Sequence, residues 1–175
     1  MPKLDSFLAG IQGRAFRMAQ IATRNTDDAL DLVQDAMFKL VEKYSDRREE
    51  EWAPLFYRIL QSRINDWHRR NKVRNRFRSW LGSDEENEED PIQTAKDENA
   101  RSPETEVLTG LSMEKLQSAL ENLPLRQQQA FLLRAWEGLD VKQTAIAMSC
   151  AEGSVKTHYS RAIHTLREQL DEYWQ

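Results

Sequence analysis

The sequence has little of what a disulfide-stapled, membrane-spanning or metal-binding protein needs. Its 175 residues include a single cysteine, Cys150, so it has no internal disulfide and no multi-cysteine metal site. No run approaches the roughly 18 uninterrupted apolar residues of a membrane span. The opening MPKLDSFLAG lacks the long apolar stretch of a signal peptide. These absences lead to the expectation of a cytoplasmic protein. Period-two alternation of apolar and polar residues is also missing, so strands are not expected. There is no phosphate-binding glycine loop and no serine elbow. His68, His158 and His164 are scattered among basic segments with no metal-ligand spacing. The chain is therefore read as not an enzyme, with no metal and no cofactor.

What is present is charge, unevenly placed. Hydrophobic residues make up 39% and charged residues 31%, with a net charge of −4. That total hides two opposed tracts. Residues 58–78 carry Arg58, Arg63, Arg69, Arg70, Lys72, Arg74, Arg76 and Arg78 against one acid, Asp66. Residues 84–90 carry Asp84, Glu85, Glu86, Glu88, Glu89 and Asp90 and no base. A polyanion meets a surface patch, so the local asymmetry says more about partners than the sum does.

Helical periodicity dominates outside the middle of the chain. Phe7, Leu8, Ile11, Ala15, Met18 and Ala22 recur at helical spacing from about Leu4 to Ala22. Asn25 or Thr26 can cap a second helix, with Asp27 and Asp28 at its positive end. Its apolar stripe is Leu30, Val33, Met37, Leu40, Val41 and Tyr44. After a polar turn, Ser45 to Glu51, Pro54 suits the first turn of a third helix, with Leu55, Ile59, Ile64 and Trp67 as its core face. Residues 79–111 are acidic and poor in large apolar groups, the composition of a flexible linker. Helix resumes at Met113, stops at Leu123–Pro124, restarts at Pro124 and ends near Glu137 with Gly138 as its cap. A short helix, about Val141 to Met148, and a long one, about Gly153 to Tyr173, follow. The expected fold is all-α: two small helical domains, 1–78 and 112–175, joined by the acidic linker 79–111.

The short helix, tight link and long helix from 140 to 170 have the spacing of a helix-turn-helix. Ala145 and Ala147 allow close approach, and Val155, Tyr159, Ala162, Leu166 and Leu170 form an inward stripe. Ser154, Lys156, Thr157, Ser160 and Arg161 remain outward near the start of the long helix. The two bases can reach guanine acceptors or phosphates, and the hydroxyls can bond bases or backbone. The N–H groups at the helix start can also face a phosphate. Spacing alone leaves an ordinary helical hairpin with a solvated face equally open.

The segment LPLRQQQAFLLRAWEGLDVKQTAIAMSCAEGSVKTHYSRAIHTLREQL resembles the promoter −35 recognition domain of bacterial RNA polymerase sigma factors, especially the extracytoplasmic-function group. Leu123, Pro124, Leu133, Arg134, Gly138, Leu139, Gly153, Ser154, Val155, Lys156, Arg161 and Ala162 carry the likeness. Ser149 departs from it, standing where the family turn often has glycine. A serine there takes a left-handed conformation only at some steric cost.

In the first domain, Asp31, Asp35, Phe38 and Glu42 share a helix face at spacings of 4, 7 and 11, with Gln34 beside them. Charge pattern alone leaves a plain solvated face open. DALDLVQDAMFKLVEKY, however, resembles the sigma segment that docks on the polymerase clamp, which implies that Asp31, Gln34, Asp35 and Phe38 contact the core enzyme. On the third helix Arg58, Ser62, Asn65 and Arg69 fall on one face at the same spacings. WAPLFYRILQSRINDWHRR resembles the segment that opens and reads the −10 element. The resemblance implies that Arg58, Ser62, Arg63, Asn65, Arg69 and Arg70 contact that element and help to melt it. Ser62 stands where asparagine is frequent, so a different base preference at −10 is expected. Trp52, Phe56, Tyr57 and Trp67 are mixed in and could stack on unpaired bases; the core is the alternative for most of them and the preferred place for Trp67.

The resemblance implies a sigma factor whose partners are core RNA polymerase, promoter DNA and an anti-sigma factor clamped around or between the domains. The corresponding sigma linker runs near the positively charged active centre and RNA exit path, while composition alone is equally consistent with a solvated spacer. The alternative function is an autonomous helix-turn-helix regulator that binds duplex DNA without polymerase.

Overall fold

The computed structural model describes residues 2–82 and 103–171, with side chains described from 113 in the second stretch. The described residues form helices and the turns between them, with no strand among them. The chain divides into two compact units, Met1–Lys96 and Asp97–Gln175. The expected acidic linker falls largely on residues 83–102, outside the described residues.

The first unit packs α1 (Pro2–Thr23), α2 (Thr26–Tyr44) and α3 (Glu49–Trp80). Leu8, Ile11, Ala15 and Met18 of α1 meet Leu32, Val33, Ala36 and Leu40 of α2 and Phe56, Leu60 and Ile64 of α3 in one buried core. Arg24 takes a left-handed conformation (φ 56°) between α1 and α2. Asn25, rather than Thr26, then caps α2: its Oδ1 accepts from the Asp28 N–H at 2.9 Å, satisfying a donor that the first turn cannot.

α3 departs from expectation at its start and in phase. It begins at Glu49, so the expected polar turn is partly helical and Pro54 lies beyond the first turn. Glu49, Glu50 and Glu51 favour the positive end of the helix, and the Glu51 carboxylate accepts from the Arg48 N–H at 3.1 Å. Trp52, Phe56, Tyr57 and Leu60 are buried, whereas Leu55 and Ile59 are only half-buried. The large rings claim the core because they remove more apolar surface from water than the neighbouring aliphatics do. At 32 residues, α3 is about 48 Å long. It outruns α1 and α2, with 22 and 19 residues, and residues 72–82 are exposed.

The second unit is built from α4 (Pro103–Asn122), α5 (Leu125–Phe131), α6 (Val141–Met148) and α7 (Glu152–Asp171). α4 starts ten residues before the expected Met113. Pro103 at its first position has no N–H to leave unpaired there, and Glu104 and Glu106 follow in the first turn, so the polar stretch read as linker is helix from 103 onward. α5 runs into a π-helical turn, Leu132–Trp136, closed by the Glu137 N–H donating to the Leu132 carbonyl at 3.0 Å. Gly138 (φ 69°) ends it. The core gathers Leu120, Leu123, Leu132, Leu133, Ala145, Met148, Val155, Ala162 and Leu166. Tyr159 and Leu170 of the expected α7 stripe are half-buried, and Tyr173 lies outside the described residues.

Candidate nucleic-acid interface

The helix-turn-helix is α6, a three-residue link and α7. Asp140 caps α6 reciprocally: its Oδ1 accepts from the Gln143 N–H at 2.7 Å, and Gln143 Oε1 accepts from the Asp140 N–H at 3.0 Å. Ser149 ends α6 in the left-handed region, φ 53° and ψ 47°, the conformation that the departure from glycine calls for. Two arginines fix the surroundings. Arg126 Nη2 donates to the Met148 carbonyl at 2.8 Å, next to the turn, and its Nη1 to Gln129 Oε1 at 3.0 Å. Arg134 Nη1 donates to the Leu139 carbonyl at 2.7 Å while its guanidinium lies 5.5 Å from the centre of the Tyr159 ring. Tyr159 in turn stacks on Phe131, with centroids 6.3 Å apart. An α5–α7 clamp of this kind sets the direction in which the start of α7 projects.

At that start, Lys156, Thr157, Ser160 and Arg161 are exposed and Ser154 is half-buried, while Val155 and Ala162 are buried on the opposite face. The Thr157 hydroxyl donates to the Gly153 carbonyl at 3.1 Å, so towards a groove it offers acceptor lone pairs and a methyl group. His158 of α7 is half-buried. Its pKa is lowered first by burial and then by the charges of Arg126 and Arg161.

In the first unit, Asp31, Gln34, Asp35 and Phe38 are all exposed on α2, and Phe38 keeps 77% of its surface in water. On α3, Arg58, Ser62, Arg69 and Arg70 are exposed, and Arg63 and Asn65 are half-buried. The two faces meet. Arg63 Nε lies 2.9 Å from Asp35 Oδ2, pairing a residue expected to dock with one expected to touch DNA. A second junction is a cleft of about 270 Å³ lined by Asp28, Asp31, Leu32, Trp67, Arg70 and Arg74, where Trp67 Nε1 donates to Asp28 Oδ2 at 2.8 Å. His68 Nε2 bonds the Ala22 carbonyl at 2.8 Å. Its pKa is lowered by burial foremost, with Lys72 acting in the same direction and the Ala22 bond opposing.

Trp52, Phe56 and Tyr57 belong to the core and are unavailable to stack on bases, and Trp67, given to the core, is half-buried at the edge of the cleft. The roles of Arg126 and Arg134 escaped sequence reasoning. A guanidinium that holds a backbone carbonyl leaves no periodic trace, although Arg134 stands in the sequence pattern that carries the resemblance.

Two helical units, the second built around a helix-turn-helix and the first around a long basic helix beside an acidic exposed face, define a promoter-reading class of protein. Comparison with known families agrees: residues 5–74 match Sigma-70 region 2 and residues 113–166 match Sigma-70, region 4. The chain belongs to the sigma-70 family. Within it, the chain is an extracytoplasmic-function sigma factor, which directs transcription initiation. It is 43% identical over 70 residues to the ECF RNA polymerase sigma factor BldN of Streptomyces coelicolor, a match covering 40% of this chain and 26% of that protein. It is 23% identical over 169 residues to the RNA polymerase sigma-E factor of the same organism, covering 96% of this chain and 86% of that one. Its fold is similar to that of the sigma factor RpoE solved in complex with the anti-sigma factor NepR from Bartonella quintana, with a TM-score of 0.66, 24% identity and 98% of each chain covered. The region 2 match does not favour an autonomous helix-turn-helix regulator, for which the second unit would suffice. No helix among the described residues is long and apolar enough to cross a membrane.

Proposed function

We propose a division of labour within this sigma factor. Asp31, Gln34, Asp35 and Phe38 of α2 dock on core RNA polymerase. Arg58, Ser62, Arg63, Asn65, Arg69 and Arg70 of α3 engage and help to open the −10 element. Ser154, Lys156, Thr157, Ser160 and Arg161 of α7 read the −35 element. Residues 1–78 and 112–175 act as separate modules across 79–111. No bond-making step falls to this chain; catalysis belongs to the polymerase, and the work is done in the cytoplasm.

The observation that carries the reading is the start of α7. Its reading side chains are presented together on the outer face, while Val155 and Ala162 opposite them are fully buried. Helices placed in a major groove need that arrangement. For α3, basic side chains neutralise phosphates, and Ser62, shorter than asparagine, reaches a base edge differently. The similar RpoE was solved with an anti-sigma factor, and restraint of this chain by a protein of that kind is part of the proposal. The test is promoter-specific initiation by core RNA polymerase with and without the chain, on templates altered at −10 or −35. Initiation that needs the chain and both elements supports the assignment; equal initiation in both reactions rejects it.

A further inference from the structure

We propose that Gly153 is a close-approach point between α7 and duplex DNA: its missing side chain lets the helix seat deeply enough for Thr157 and Ser160 to reach base edges. This deepens the reading of the −35 element by α7, on which it rests, at a residue outside the set given that role. Glycine weakens a helix relative to alanine because it has more backbone freedom to lose, so a helical glycine calls for a reason. Nothing within the chain supplies one. Gly153 is helical, and among the described glycines only Gly82 and Gly138 have a positive φ. A Cβ built on Gly153 would meet nothing within 4 Å, so no neighbour excludes a side chain there.

Gly10 and Gly13 of α1 are equally open; its place on the helix sets Gly153 apart. Val155 is fully buried and marks the inward direction of α7. Gly153, two residues earlier and so about 200° round the helix, lies about 20° from the line directly opposite. Thr157, two residues after Val155, lies as far to the other side, and Ser160 about 40° from the same line. The three form the exposed middle of the outer face, with Lys156 and Arg161 on its flanks. The Thr157 hydroxyl donates to the Gly153 carbonyl at 3.1 Å, so the two positions touch. Long cations reach phosphates and bases from a distance, whereas a threonine and a serine reach base edges only where the backbone itself comes close. A major groove is about 12 Å wide and a helix with its side chains about 10–12 Å across, so little clearance is left. The first turn of a reading helix is the part that meets base edges, and a side chain in the middle of its outer face would hold the helix away from them.

The experiment measures promoter-specific initiation by core RNA polymerase with the full chain, on templates intact or altered at −35, beside denaturant unfolding of the same variants. Gly153→Ala is expected to raise the unfolding midpoint of the second unit and yet to lower initiation on the intact template by about tenfold, the loss of one base contact. Gly153→Leu, with a larger side chain, is expected to lower it by about a hundredfold. On templates altered at −35 both variants should initiate like the wild type, because the contact they obstruct is already missing; a defect in assembly with polymerase would lower initiation there too and overturn the proposal. Gly13→Ala, at an equally open glycine, is expected to raise the midpoint of the first unit and leave initiation unchanged. Wild-type initiation by Gly153→Leu on the intact template overturns the proposal. So does a lowered midpoint in Gly153→Ala, which would mean that the fold needs the glycine, or an equal loss for alanine and leucine, which would assign the effect to backbone freedom and not to room. If Lys156→Glu and Arg161→Glu abolish −35-dependent initiation while Gly153→Leu retains it, this inference falls and the proposed function stands. If the Gly153 variants lose it while both charge reversals initiate normally, the close approach stands and the role given to those two cations falls.

Discussion

The two helices proposed to meet DNA are built on opposite plans. α7 gathers its proposed reading side chains within residues 154–161, and Arg126 beside the turn and Arg134 and Phe131 against Tyr159 fix that start from outside. α3 spreads its side chains from Arg58 to Arg78, with only its first half packed and one of its cations, Arg63, tied to α2. A short clamped site suits a rigid duplex, where a displacement of a fraction of an ångström costs hydrogen bonds to base edges. A long track with a projecting end suits a strand whose path changes as the duplex opens, and it works mainly through charge. Position matters most in α7, and summed charge matters most in α3.

Charge reversal in the clamped site should break the comparison most visibly. Arg161→Glu or Lys156→Glu is expected to abolish −35-dependent initiation, because it removes a contact worth about 1–3 kcal/mol and adds repulsion. Assembly with core polymerase should be unaffected, as read by transcription and by core-binding titration. Unchanged promoter choice would remove α7 from the reading role. Asp35→Lys should weaken assembly with core polymerase by roughly tenfold or more, since it reverses a docking charge and repels Arg63; an unaltered dissociation constant would count against the α2 face. Arg126→Ala sharpens the contrast. It removes the bonds to Met148 and Gln129, should destabilise the second unit by about 2 kcal/mol, and should lower −35-dependent initiation. Denaturant unfolding and the transcription assay read the two effects. Ser149→Gly should raise the stability of the same unit by about 0.5–1 kcal/mol by relieving a left-handed serine, seen as a higher midpoint with an unchanged m value. The smallest effect concerns pH. His68 and His158 both have lowered pKa values, so folding favours their neutral forms. The associated stability is complete above about pH 6.5 and declines as pH falls below it, where the unfolded chain takes up protons first. His68→Gln, which can still donate to the Ala22 carbonyl, should flatten that decline in the first unit, and a flat wild-type profile between pH 7.5 and 5.5 would show burial to be unimportant there.

The helix-turn-helix was legible because its signals are local. The Gly138 cap, the small alanines and an apolar stripe each act within a few residues, whereas the Asp140 cap of α6 was seen only in the structure. The left-handed Ser149 followed from the same local logic. The core phase of α3 was not legible, because Leu55, Phe56, Tyr57, Ile59 and Leu60 supply apolar residues on most of the circumference. Only packing against both α1 and α2 decides among them, and it chose the rings. The early start of α4 was hidden by a polar, acidic sequence whose helical tendency comes from Pro103 and the two glutamates near its start. The faces of α2 and α3 were each visible in the spacing, but the meeting of Asp35 with Arg63 depends on how two helices cross, which periodicity along one helix does not encode.

That 2.9 Å contact has a consequence for genetics. An allele at position 35 or 63 carries two phenotypes at once, because the partner of the altered side chain loses its ion pair as well. Deficits scored at the two positions will therefore not add. A suppressor of an Asp35 allele found at Arg63 reports repair inside the first unit, and only an allele-specific suppressor in a polymerase subunit reports a contact between proteins.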